Sequence, residues 1–276
     1  MPGPRPDLVA AIVRAADRGG DGGEPGTGAP HSGGEPGTGD ADPTLDAVAE
    51  RVQVPGGPLH LLRPRDPDAL AFETVSAPDA EVEELHPPHW ARLWASGTAL
   101  ARVVDAPPPP PTVAGRDGAG RIVVRGRSVL ELGCGLGLPA LTAARAGARV
   151  LATDRALGAV AYVAATAARE GIDLHSASCT WDAAEPLVEQ GPWDVVLAAD
   201  VIYGQEALTV LAALLPRLAA DDGEVWLADP RRPLTPEFLA DARSRWREVD
   251  TRESPVQGVR LHRLRGPIRT PTHAPR

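Results

Sequence analysis

The stretch VLELGCGLGLP, Val129 to Pro139, constrains the fold more than any other part of the chain: an apolar run breaks into three alternating glycines, then a helical pattern begins. A strand feeding a glycine-rich turn and a helix is a frame for a nucleotide, because small residues let a ligand approach the backbone at the helix start. The glycines alone leave the ligand open. A dinucleotide fingerprint, G-x-G-x-x-G, would place its third glycine where this chain has Leu138; the spacing here is Gly133-x-Gly135-x-Gly137.

Around this turn, strand patterns at 128–132, 149–154, 173–179, 193–200, 223–229 and 259–264 alternate with helical patterns at 138–147, 157–170, 205–219 and 235–246. Helix-length connectors between strands require parallel pairing with right-handed crossovers, so the expected fold class is α/β, a doubly wound, mostly parallel sheet. A helix over about 89–104 precedes the first strand, and 51–75 reads as a hairpin with an attached strand. The expected division is 1–45, a short helix (7–17, with Asp7 as N-cap) and a Gly/Pro-rich linker; 46–88, a hairpin extension; 89–265, the nucleotide-binding domain; and 266–276, a disordered tail. The linker carries GGEPGTG twice, at 22–28 and 33–39, and buries too little apolar area to offset its chain entropy. The proline run 107–111 and the following GRDGAG read as a surface insertion.

Composition removes several chemistries. The formal charge of -9 argues against a nonspecific nucleic-acid binder. The chain has no lysine, so all 28 basic residues are arginine, and a P-loop lysine or a lysine Schiff base is excluded. Cys134 and Cys179 stand far apart without a CxxC, which fits a reducing compartment. The N-terminal apolar run is too short to span a bilayer. The expectation is a cytoplasmic protein with no membrane partner. His86-Pro-Pro-His89 reads as a turn and not a metal site, and His175 and His262 read as surface positions on strands.

Two acids choose the ligand. Asp154, at the end of the second strand pattern, is placed to accept hydrogen bonds from ribose hydroxyls, as in NAD enzymes, or to cap the next helix. Glu131, two residues before Gly133, attracts an ammonium and a sulfonium and repels a pyrophosphate. That points to S-adenosylmethionine (SAM). Trp181 and Asp182 are candidates for adenine stacking and for accepting from its amino group; Trp181 also reads as a core-edge aromatic.

ELGCGLGLP, the Asp154 acid and the strand–helix order resemble the class I, seven-β-strand SAM-dependent methyltransferases. PPHWARLWASGTALARVV (87–104) looks like the W-x-x-G helix before the glycine turn in one family of protein lysine methyltransferases. AADVIY (198–203) matches that family's D-x-x-Y signature. VWLADPRRP (225–233) resembles the DP-x-R loop of its bacterial branch, which includes the electron-transfer-flavoprotein β-subunit lysine methyltransferase and proteins termed predicted nicotinamide N-methylases. The resemblance covers about residues 50–265; the proline insertion departs from it.

It implies a Rossmann-like, seven-stranded sheet with an N-terminal β/helix extension, and SAM as cofactor. Gly133, Gly135 and Gly137 would lie under the ligand backbone, Glu131 near its amino group, Asp154 on the ribose and Trp181 by the adenine. Trp94 and Gly97 would cover the methionine end, although Trp94 shares a helical neighbourhood with Trp90 and also reads as core. Asp200 and Tyr203 would draw in and aim a substrate lysine; the alternative is Asp200 as a helix cap with Tyr203 packed on the sheet. Arg231 and Arg232 contact an acidic substrate or lie in a solvated loop. The implied activity is N-methylation of a protein lysine. A small-molecule N- or O-methyltransferase is the alternative, followed by a SAM-binding module without catalysis.

Overall fold

The computed structural model describes residues 1–18, 46–70, 88–104 and 121–269. The GGEPGTG repeats, the proline insertion, His86 and the end of 51–75 lie outside the described residues.

Helix α1 (Pro6–Arg18) opens the chain and buries Ile12 and Ala16. Its first residue is Pro6, so Asp7 sits inside the first turn and is not the cap. Strands β1 (Ala47–Val54) and β2 (Gly57–Pro64) form an antiparallel hairpin as a separate two-stranded sheet. The segment expected to be one long helix divides. A short 3₁₀ turn covers His89–Ala91, the chain extends through Trp94, and α2 runs Ala95–Val103.

The main sheet then builds by alternation: β3 (Ser128–Leu132), α3 (Leu138–Arg145), β4 (Arg149–Asp154), α4 (Leu157–Glu170) and β5 (His175–Ser178). After α5 (Glu185–Gln190) come β6 (Trp193–Ala199), α6 (Gln205–Leu218), β7 (Ala219–Asp229) and α7 (Thr235–Arg245). The chain ends in an antiparallel pair, β8 (Trp246–Glu253) and β9 (Arg260–Pro267). The seven-stranded order is β5-β4-β3-β6-β7-β9-β8, parallel except for β9 against β7 and β8.

Two expectations at the C-terminal end are corrected. Strand β8 follows α7 without a break and was missed, because WREVDTRE buries only Trp246 outright and carries no apolar run. Gly266 and Pro267 belong to β9, with Pro267 opposite Trp246, so the tail cannot begin at Gly266.

Alternation along the strands sorts the core. Leu130, Leu132, Val196 and Ala198 face α6 and α7, while Val129, Val150, Val195 and Leu197 pack with residues of α2 and α3. Both faces are covered, which is why these strands read as continuous apolar runs. The hairpin docks on α4: Leu59, Leu61 and Leu62 are fully buried, and the Leu62 N–H donates to the Thr166 hydroxyl at 3.1 Å. Burying each such leucine contributes about 1.5–3 kcal/mol. No helix among the described residues is long and apolar enough to cross a membrane.

Candidate functional site

The glycine turn leaves β3 at the carboxyl edge of the sheet, next to the switch in strand order between β3 and β6. Gly133, Gly135 and Gly137 have φ of 61°, 52° and 70°, a left-handed region where an L side chain is strained. Each also admits a neighbour. A Cβ on Gly137 would lie 2.5 Å from Val163 Cγ2 on α4; on Gly135, 3.3 Å from the Trp90 carbonyl oxygen; on Gly133, 3.2 Å from Trp181 Cζ2. The glycines therefore seat α4, the 3₁₀ turn and the Trp181 indole around one loop.

Asp154 ties that loop to β4. Its Oδ2 accepts the Gly135 N–H and its Oδ1 the Ala156 N–H, both at 2.9 Å. The N-cap of α4 is Ala156, so Asp154 does not cap the helix. Burial pushes the Asp154 carboxyl up against the lowering effect of those N–H groups.

Glu131 is buried on the α3 side of β3, where its Oε2 accepts the Ala140 N–H at 2.8 Å. Burial pushes its pKa to about 8; the Ala140 N–H opposes the shift and the Asp154 charge adds to it.

Trp181 lies half-buried in a second 3₁₀ turn, Trp181–Ala183, with Asp182 exposed beside it. The Trp181 and Tyr203 ring centroids are 6.2 Å apart. Tyr203 is 62% exposed, so it is not packed on the sheet. Partial burial raises its phenol pKa; Arg155 opposes this, and Asp154 and Glu206 reinforce it.

Trp94 and Trp90 diverge because the chain is extended between them. The Trp94 indole is 41% exposed and donates to the His89 carbonyl at 2.7 Å. A Cβ on Gly97 would meet nothing within 4 Å, so its surroundings are open. Trp90 instead packs inward, beside the glycine turn and on α4. Its ring lies 5.7 Å from that of Tyr162, and a Cβ on Gly158 would come within 2.6 Å of it. The available signal for this packing was Gly158 itself, a glycine in the first turn of an otherwise apolar helix.

Asp200 follows β6 at φ 59°, and its N–H donates to the Ala228 carbonyl at 2.8 Å. Gly204, not Asp200, is the N-cap of α6. Both Asp200 oxygens accept from Arg232, Nε to Oδ1 at 2.7 Å and Nη2 to Oδ2 at 2.9 Å. Arg231 pairs with the exposed Glu253 at 3.0 Å and itself stays exposed.

Behind them sits Asp229, only 4% exposed, accepting the N–H groups of Arg231 and Arg232 and the Thr235 hydroxyl. Burial alone would raise its pKa, but the nearby His262 ring and the hydrogen bonds from Arg232 and Thr235 hold it below the usual carboxylate value. His262 is buried at 2% exposure, not a surface residue, with Nε2 4.0 Å from Asp229 Oδ2 and Nδ1 2.8 Å from the Thr251 hydroxyl.

Residues 91–244 match the lysine methyltransferase family. The electron transfer flavoprotein β subunit lysine methyltransferase of Xenopus laevis is 34% identical over 150 residues, 52% of this chain and 53% of that protein. The protein N-lysine methyltransferase METTL21A of Danio rerio is 30% identical over 151 residues, 52% of this chain and 68% of its own length. The chain thus spans about half the length of the first of these relatives. Among solved structures, the T. thermophilus 16S rRNA N2 G1207 methyltransferase in complex with AdoMet and guanosine aligns with TM-score 0.50 at 15% identity, over 80% of this chain and 50% of that one; this likeness speaks for the fold alone.

Proposed function

The chain belongs to the lysine methyltransferase family, and from that premise we propose that it transfers a methyl group from SAM to the side-chain nitrogen of a lysine in a protein substrate. The observation carrying this reading is the convergence at one sheet edge of the left-handed glycine turn, the buried Glu131 and Asp154, and the Trp181–Tyr203 pair beside Asp200.

The residues fit SAM by their chemistry. Glu131 is a place for the ligand's ammonium: the buried carboxyl, which holds its proton to about pH 8, would give that proton up and meet the ammonium as a carboxylate. Asp154 spends one lone pair of each oxygen on the backbone and keeps others for ribose hydroxyls. Trp181 and Asp182 are assigned to the adenine, and Trp94 and Gly97 to the methionine end, where the open space beside Gly97 leaves room. When bound, SAM supplies the methyl group: the acceptor nitrogen's lone pair forms the new C–N bond while the C–S electrons remain on sulfur.

This chain's own residues must deliver an uncharged amine. A lysine pKa of about 10.4 leaves only a few molecules in ten thousand neutral at pH 7, so the site must bind the side chain, aim it and let its proton leave to solvent. Asp200 and the Tyr203 hydroxyl are assigned that aiming. The two free, buried cysteines support a reducing, cytoplasmic setting.

The test is methyl-labelled SAM incubated with lysate of the source cells and resolved on a gel, beside Asp200→Ala. A labelled protein band that disappears in the variant is expected, with methyl-lysine found by mass spectrometry. Because the chain has no lysine of its own, that signal cannot be self-modification. Label confined to the small-molecule fraction would overturn the protein substrate, and failure to bind SAM would overturn the activity.

A further inference from the structure

Asp200 is the acid assigned to meet the incoming amine, yet both of its oxygens are already engaged. Arg232 grips it side-on through two charge-assisted hydrogen bonds, at 2.7 and 2.9 Å. The Asp200 carboxylate is 14% exposed and the guanidinium 41%, so the pair sits at the mouth of the site and not inside the core.

The grip is built in from both sides. Asp200 is fixed in the left-handed region by its N–H on Ala228. Arg232 is fixed by its backbone: its N–H donates to Asp229 Oδ1 at 3.1 Å, and Arg231, at φ 68°, donates to Oδ2 at 2.9 Å. The Thr235 hydroxyl closes the turn on Oδ1 at 2.9 Å, and His262, held by Thr251 of β8, stands behind the same carboxylate. Buried polar groups from β7, β9 and α7, with Thr251 of β8 behind them, thus hold the backbone that carries this guanidinium in place. Arg231, by contrast, ends on the exposed Glu253.

We infer that Arg232 is a positioning residue for methyl transfer that acts through Asp200. The inference rests on the lysine transfer proposed above. A bare carboxylate would favour the ammonium form of the substrate, whose nitrogen has no lone pair to attack with. Clamped by Arg232, Asp200 presents a fixed plane and a cancelled charge. Its fork uses two of about four lone-pair sites, which leaves acceptors for one N–H of the amine. The pair orients the nitrogen by a hydrogen bond without holding its proton on.

The experiment is a double-mutant cycle on the full chain: parent, Asp200→Asn, Arg232→Ala and the double variant, with Arg232→Lys as the conservative control. The acceptor probe is the protein fraction of source-cell lysate with methyl-labelled SAM, and SAM affinity is measured by calorimetry. Arg232→Ala is expected to lower the saturating labelling rate about tenfold while SAM affinity stays within about twofold, and to add nothing in the Asp200→Asn background. Arg232→Lys, which keeps the charge but cannot close the fork, should fall between.

Parent-level rates in Arg232→Ala or Arg232→Lys would overturn the inference. So would losses that multiply in the double variant, since Arg232 would then act independently of Asp200. If Arg232→Ala fails to fold, Arg232→Lys alone decides. A parent that binds SAM but labels no protein would overturn the proposed function itself, an outcome separate from all of these.

Discussion

At the scale of single residues, Glu131 makes the sharpest prediction. Its carboxyl keeps a proton to about pH 8 in the folded chain against an ordinary value of 4.5. It therefore favours the fold fully below about pH 4.5, and that contribution is lost as the pH rises through 8. Glu131→Gln should flatten this dependence and raise the melting temperature at alkaline pH by about 3 °C or more, read by calorimetry. If Glu131 meets the ligand's ammonium as proposed, that ammonium must displace the proton: SAM titrations at neutral pH, in buffers of different ionisation enthalpy, should register release of nearly one proton by the parent and none by the variant. Gly137→Ala tests the glycine turn. A methyl group 2.5 Å from Val163 Cγ2 at φ 70° should cost about 2–4 kcal/mol in urea unfolding. The glycine turn was legible in the sequence because every signal it needs lies within a dozen residues. The Asp200–Arg232 contact was not, because its partners are 32 residues apart on two strand ends and nothing local marks their meeting.

At the scale of elements, the loop after β7 is the part most dependent on one buried group. Thr235→Val removes a donor to a carboxylate that is 4% exposed and should cost about 1–2 kcal/mol. Asp229 is held below the usual carboxylate value, so its contribution is present above its unfolded pKa and lost as the pH falls through the lowered one. With a donor gone, the acid-unfolding midpoint should move upward, which a circular-dichroism titration would detect. The strand–helix alternation was readable from periodicity, but the boundaries were not where a side chain had to leave the regular pattern. The expected helix over 89–104 placed Trp90 and Trp94 in one neighbourhood; the extended backbone at Arg92 and Trp94 instead sends one to α4 and the other back to His89. Strand β8 is not legible in the sequence because a largely exposed edge strand rich in charges carries little hydrophobic signal.

At the scale of the whole molecule, the N-terminal hairpin and α1 form a layer of their own on α4. Among the described residues they share no strand pairing with the seven-stranded sheet. Hydrogen exchange should therefore resolve two levels. Amides of β3, β4 and β6, paired on both sides within the sheet, are expected to exchange only through global unfolding, and those of β1 and β2 through a smaller opening. Identical protection throughout would contradict this separation. The sheet order also has a consequence for how the molecule is made. The last strand among the described residues, β9, lies inside the sheet between β7 and β8. During synthesis the glycine turn, Asp154 and Trp181 can assemble from contiguous chain, whereas the support under Asp229 and Arg232 waits for His262. The half assigned to the methyl donor can thus form early, and the half assigned to its acceptor is finished only when the final strand has been threaded home.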